Sequence, residues 1–181
     1  MINENEYRSL KDSDKSQVRS FDINLVSKKV DNTEQLYLYE INTNDIQNCV
    51  KMQKYTWIHL WRPFCQSEYC QNINYFLTIE NNLKQYDLEF MLISESYDFN
   101  SIENAVKNSF YDKPIFVLQD LYYGHKMRPN SLKLYNELKT AHSPKTRIGF
   151  DDYLFKDSVL IFVGEDLNKH RIDSLMIKNN R

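Results

Sequence analysis

Tyr55-Thr56-Trp57-Ile58-His59-Leu60-Trp61-Arg62-Pro63-Phe64-Cys65-Gln66-Ser67-Glu68-Tyr69-Cys70 is the stretch on which the reading of this chain turns. Its first seven residues are rich in aromatic and branched side chains and predict a buried strand. Arg62-Pro63-Phe64 ends that strand, because proline has no N–H to give to a ladder. The apolar residues that follow, Ile73, Phe76, Leu77 and Leu83, predict a long helix, with Cys65 at its opening. A sulfur at a helix N-terminus sits in a positive field that favours thiolate over thiol. Cys70 lies close by in the same stretch, so the physical expectation is a redox-active dithiol.

The 181 residues fit one domain, taken as 19–181, preceded by a polar and flexible segment 1–18 that lacks an apolar period. A hydrophobic fraction of 41%, with 13 Tyr and 10 Phe, is enough for a core. Formal charge is -2, which argues against nucleic acid and anionic membrane surfaces as partners. No run approaches the ~20 apolar residues of a membrane span. Three cysteines are not a disulfide scaffold, and 3 Gly leave no place for a glycine-rich nucleotide loop.

Strands are expected at 36–41, 57–61, 88–94, 114–118, 158–163 and 171–177, the last two forming a C-terminal hairpin around Gly164-Glu165-Asp166-Leu167-Asn168. Between them, helices are expected after Thr43 or Asn44, from Cys65, after Ser101, and from Asn130 or Ser131. Part of 18–34 is expected to cover the sheet or extend its edge. Strands alternating with helices make this an α/β chain with a mixed central sheet.

A hydrophobic strand followed by tryptophan, proline, an aromatic residue and a cysteine resembles the thioredoxin-like superfamily. Trp57 to Cys65 is most similar to the exported TlpA-like thiol-disulfide oxidoreductases. The resemblance implies a thioredoxin-like sandwich, a central mixed sheet flanked by helices. It implies thiol-disulfide exchange with protein or small-molecule disulfides and thiols, with Cys65 as attacking and Cys70 as resolving thiol, and no cofactor or metal. Trp61, Pro63, Phe64 and Asp157 would face the substrate. The family is often bacterial, periplasmic or a lipoprotein, so membrane contact would come only through a removed N-terminal anchor.

Three departures stand against the family pattern. The cysteines are spaced C-x4-C rather than C-x-x-C. Lys156-Asp157-Ser158, before the strand at 158–163, has no proline where the family places a cis-proline. No terminal helix is expected, because 171–177 reads as a strand. The wider spacing has a geometric consequence. Five residues along an intact helix advance ~7.5 Å, beyond the ~7 Å Cα limit of a disulfide once the side chains diverge. Oxidation would then cost the first helical turn and make the disulfide comparatively oxidising.

The alternatives differ in class. A non-catalytic binding module would keep the fold and not the chemistry. A peroxiredoxin-type peroxidase would want a threonine where Arg62 stands. A copper protein would use the two thiolates with His125, His142 or His170. Glu68 reads as a first-turn acid rather than a proton acceptor, His59 as a strand histidine and Cys49 as a buried small hydrophobe.

Overall fold

The computed structural model describes residues 7–32, 34–65, 71–124, 127–141, 143–144, 151–165 and 167–179. Seven strands, β1 (Val18–Ser20), β2 (Leu38–Ile41), β3 (Tyr55–Trp61), β4 (Leu88–Ser94), β5 (Ile115–Leu118), β6 (Asp152–Lys156) and β7 (Val159–Gly164), form one sheet in the order β1-β2-β5-β4-β3-β6-β7. The first five in that order run parallel, and β6 and β7 extend the sheet antiparallel beyond β3. The helices are α1 (Asp12–Lys15), α2 (Thr43–Cys49), α3 (Ile73–Leu83), α4 (Phe99–Lys107), α5 (Asp120–Tyr123), α6 (Met127–Leu138) and α7 (Lys169–Asn179).

Side chains of the central parallel strands β3, β4 and β5 are buried on both faces, as helix crossovers require, whereas the edge strand β1 is largely exposed. Tyr55, Trp57, Phe90 and Leu92 pack with Phe76 of α3, Ile102 of α4 and Ile172 of α7. Ile58, Leu60, Met91 and Ile93 pack with Ile46 of α2 and Leu134 of α6. β3 is interior, between β4 and β6, so its C-terminal end opens onto one pole of the sheet with strands on either side. Within 18–34, Val18–Ser20 extends the edge as β1 and Val26 is buried in the second layer. Of the polar N-terminal segment, Tyr7 packs edge-on against Tyr97 at 5.4 Å.

Three expectations are corrected. The C-terminal hairpin is present, but its arms are β6 and β7, and 171–177 belongs to helix α7. Asn168, read as a turn residue, caps that helix through Oδ1 to the Arg171 N–H at 3.1 Å. Helix α3 begins at Ile73 and not at Cys65, because Asn72 caps it, accepting the Asn74 N–H at 2.9 Å.

Candidate functional site

Cys65 follows β3 directly and turns back on it, its N–H donating to the Arg62 carbonyl at 3.0 Å. It is half-buried and disulfide-bonded, whereas Cys49 is a free, buried thiol. Cys65 therefore stands before α3 in sequence rather than in its first turn.

The group beside the turn is charged instead. Arg62 reaches Glu95, just past the end of β4, through Nε to Oε2 at 2.5 Å. Its Nη2 and Nη1 donate to Asp151 Oδ1 and Oδ2 at 2.8 and 3.3 Å, a fork onto the residue that leads into β6. Glu95 Oε1 also accepts from Ser131 Oγ of α6 at 2.9 Å. One guanidinium thus ties the ends of β3, β4 and β6 to each other, and Glu95 carries the tie to α6. Burial raises the Glu95 carboxyl above its usual range; Arg62 opposes that rise and Asp151 adds to it. Burial alone would lower the Arg62 guanidinium, but Glu95 and Asp151 outweigh it and the net shift is upward. Among the described residues, this cluster sets two carboxyl groups against one guanidinium.

The residues expected to face substrate divide. Pro63 and Phe64 are half-buried in the Cys65 turn, while Trp61 is buried in the core. Asp157 is not near the turn: it occupies the β6–β7 connection with φ 47°, and its N–H bonds the Lys54 carbonyl just ahead of β3, at the opposite pole. The error follows from taking β7 as the strand beside β3; β6 holds that place, and the residue at its head is Asp151. Lys145 to Phe150, which precede Asp151 in sequence, include no proline. Cys70, Glu68, His125 and His142 lie outside the described residues, and His170 is exposed on α7. Burial, with Asp45 adding, pushes the Cys49 thiol up to about 12, so it is inert as read. Among the described residues no three His, Cys, Asp or Glu are grouped to hold a metal ion.

The Arg62, Glu95 and Asp151 grouping was missed in sequence. Arg62 is the one formally charged residue between Lys54 and Glu68, and Glu95 follows Ser94 just beyond the apolar run Phe90-Met91-Leu92-Ile93. A cation and an acid placed at neighbouring strand ends were the available signal.

No family model and no curated protein matches the chain. Three solved structures are similar to it. The thioredoxin domain of a thiol-disulfide oxidoreductase from Bacteroides vulgatus is 17% identical over 74% of this chain and 84% of that one, with a TM-score of 0.47. A thiol:disulfide interchange protein of the thioredoxin family from Chlorobium tepidum is 13% identical over 73% and 83%, at 0.45. A putative protein disulfide isomerase from Bacteroides thetaiotaomicron is 14% identical over 70% and 72%, at 0.42.

Proposed function

We propose that this chain is a thioredoxin-like thiol-disulfide oxidoreductase in which Cys65 and Cys70 cycle between dithiol and disulfide. The observation that carries the reading is a disulfide-bonded, half-buried Cys65 in the turn leaving an interior strand, at the pole where the parallel strands end. With Cys49 buried as a free thiol, Cys70 is the partner this reading assigns. Cys65 is the attacking thiol, and Cys70 releases the mixed disulfide. Pro63 and Phe64 offer apolar contact beside the sulfur. Protein or small-molecule disulfides and thiols are the substrates, and the bacterial cell envelope, by a lipid anchor or in the periplasm, is the compartment that suits such an exchange.

The charge of the described Arg62, Glu95 and Asp151 cluster supports one direction of electron flow. An acidic excess disfavours thiolate, which stabilises the disulfide relative to the dithiol and makes the pair comparatively reducing. The test is exchange with a small disulfide and a small dithiol by the full chain, with Cys65→Ser and Cys70→Ser as controls. Loss of exchange in both variants is expected. Unchanged exchange in either would remove that cysteine from the chemistry.

A further inference from the structure

The redox pole holds a second polar cluster, on the α3 side of the sheet. Asp151 and Asp152 are adjacent at the head of β6 and, as neighbours on a strand, project to opposite faces. Asp151 takes Arg62; Asp152 is buried and takes His59. His59 Nδ1 is 2.8 Å from Asp152 Oδ1. The same carboxylate accepts the Trp57 indole N–H on Oδ1 at 2.8 Å and the Leu167 backbone N–H on Oδ2 at 3.0 Å. Indole and amide can only donate, so Asp152 acts here as an acceptor-only carboxylate and His59 Nδ1 must carry the hydrogen. The tautomer is then fixed, and the lone pair of the neutral ring lies on Nε2. No described residue bonds Nε2.

The ring's place is fixed as well. Phe76, in the first turn of α3, packs against it with centroids 4.1 Å apart. His59 stands two positions before Trp61, near the end of the strand that feeds the Cys65 turn. From β4 the cross-strand neighbour is Leu92, and from α3 the contact is Phe76, both uncharged. Asp152 of β6 is the charged group that faces the imidazole. The His59 side chain is 13% exposed, against 3% for Asp152.

We infer that His59 Nε2 is the proton acceptor for the thiol chemistry at the end of β3, with Asp152 as a positioning residue acting through it. The inference rests on the dithiol reading above. In the reduced protein the Cys65 Sγ–H proton passes to Nε2, directly or through one water. The thiolate attacks one sulfur of a substrate disulfide; a Cys65–S bond forms as the substrate S–S bond breaks. The departing thiolate takes the proton back from the His59 imidazolium. Each such step is an exchange with no net gain or loss of electrons, and a second one closes the protein disulfide.

The test is the rate of Cys65 alkylation by iodoacetamide against pH, read by mass spectrometry on the full chain carrying Cys70→Ser. With His59 as acceptor, the parent profile has a second, lower step below the thiol step, and that step depends on the imidazole. His59→Gln, whose amide can still donate to Asp152, loses the lower step and reacts about tenfold or more slowly at pH 7. Asp152→Asn displaces the step without abolishing Cys65 reactivity. Superimposable profiles for parent and a folded His59→Gln would overturn the inference and leave His59 as a tie between β3 and β6. A Cys65 that reacts at no pH would overturn the dithiol reading itself, and this inference with it. A measurement on the wild-type chain needs no variant to fold: the His59 ring titration followed by NMR should differ between the reduced and oxidised states. Identical titrations would equally overturn the inference.

Discussion

Arg62 and Lys113 each lie between two carboxylates, at opposite poles of the same sheet. Lys113, just ahead of β5, bonds Glu80 of α3 and Glu89 of β4, the latter at 2.8 Å. Its side chain is 16% exposed, against 41% for Arg62. The charge count is the same, one cation to two acids, but the geometry differs. An ammonium is a point charge that satisfies two oxygens wherever they meet it. A guanidinium holds its N–H groups in a fixed plane and so fixes the relative orientation of the elements it bonds. The chain uses the point charge to close the buried pole and the fork to frame the pole that carries Cys65. The lower cluster should therefore report on stability alone, and the upper one on stability and chemistry together.

Lys113→Met should have the largest effect. It leaves Glu80 and Glu89 buried without a cation, and removing one partner of a buried pair typically costs about 3–5 kcal/mol. Denaturant unfolding should show that loss, while Cys65 reacts as before. Arg62→Met comes next, at about 2–3 kcal/mol, less than a fully buried pair because water reaches the guanidinium. Unlike the lysine variant it should alter Cys65 alkylation, since the turn is tied to β4 and β6 through Arg62. Equal effects of the two variants on alkylation would erase the proposed difference between the poles.

A smaller effect separates Glu95 from its protonated form. Burial raises its carboxyl in the folded chain above the usual value of 4.5. The folded state then binds that proton more tightly than the unfolded state. Its contribution is fully present below the unfolded pKa and is lost as pH rises through the folded one. Glu95→Gln, which resembles the protonated acid, should gain stability relative to the parent as pH increases from 4.5. Denaturation midpoints of the two chains across that range check the sign. The smallest effect is on reduction potential. Glu95→Gln removes one of two carboxylates near the turn and should raise the potential by ~10–30 mV, where 30 mV corresponds to about 1.4 kcal/mol. A fall would reverse the electrostatic argument.

The parallel half of the sheet is legible in the sequence because its strands are near-continuous apolar runs, such as Phe90-Met91-Leu92-Ile93 and Ile115-Phe116-Val117-Leu118. β6 is not, because Asp152, its first residue, and Asp151 just ahead of it read as loop. Asp152 tolerates burial only through donors from Trp57, His59 and Leu167, none of them near it in sequence. Missing β6 moved the hairpin one strand along and turned α7 into its arm. It also placed Asp157 at the site when Asp151 belongs there. The cysteine after the strand was legible from local pattern alone. Its frame was not, since Arg62 and Asp151 are 89 positions apart. The helix start was misplaced because the apolar period was extended back through Gln66-Ser67-Glu68, whereas Asn72 supplies the cap.

The central claim is that Cys65 and Cys70 form one reversible redox couple. Its most direct test is a glutathione redox titration of the full chain, with peptide mass spectrometry assigning every cysteine at each potential. The expected result is a single two-electron transition, with a Cys65–Cys70 peptide in the oxidised form and Cys49 a free thiol throughout. Cys65 linked to Cys49 or to a second chain, or Cys65 unpaired under every oxidant, would contradict it.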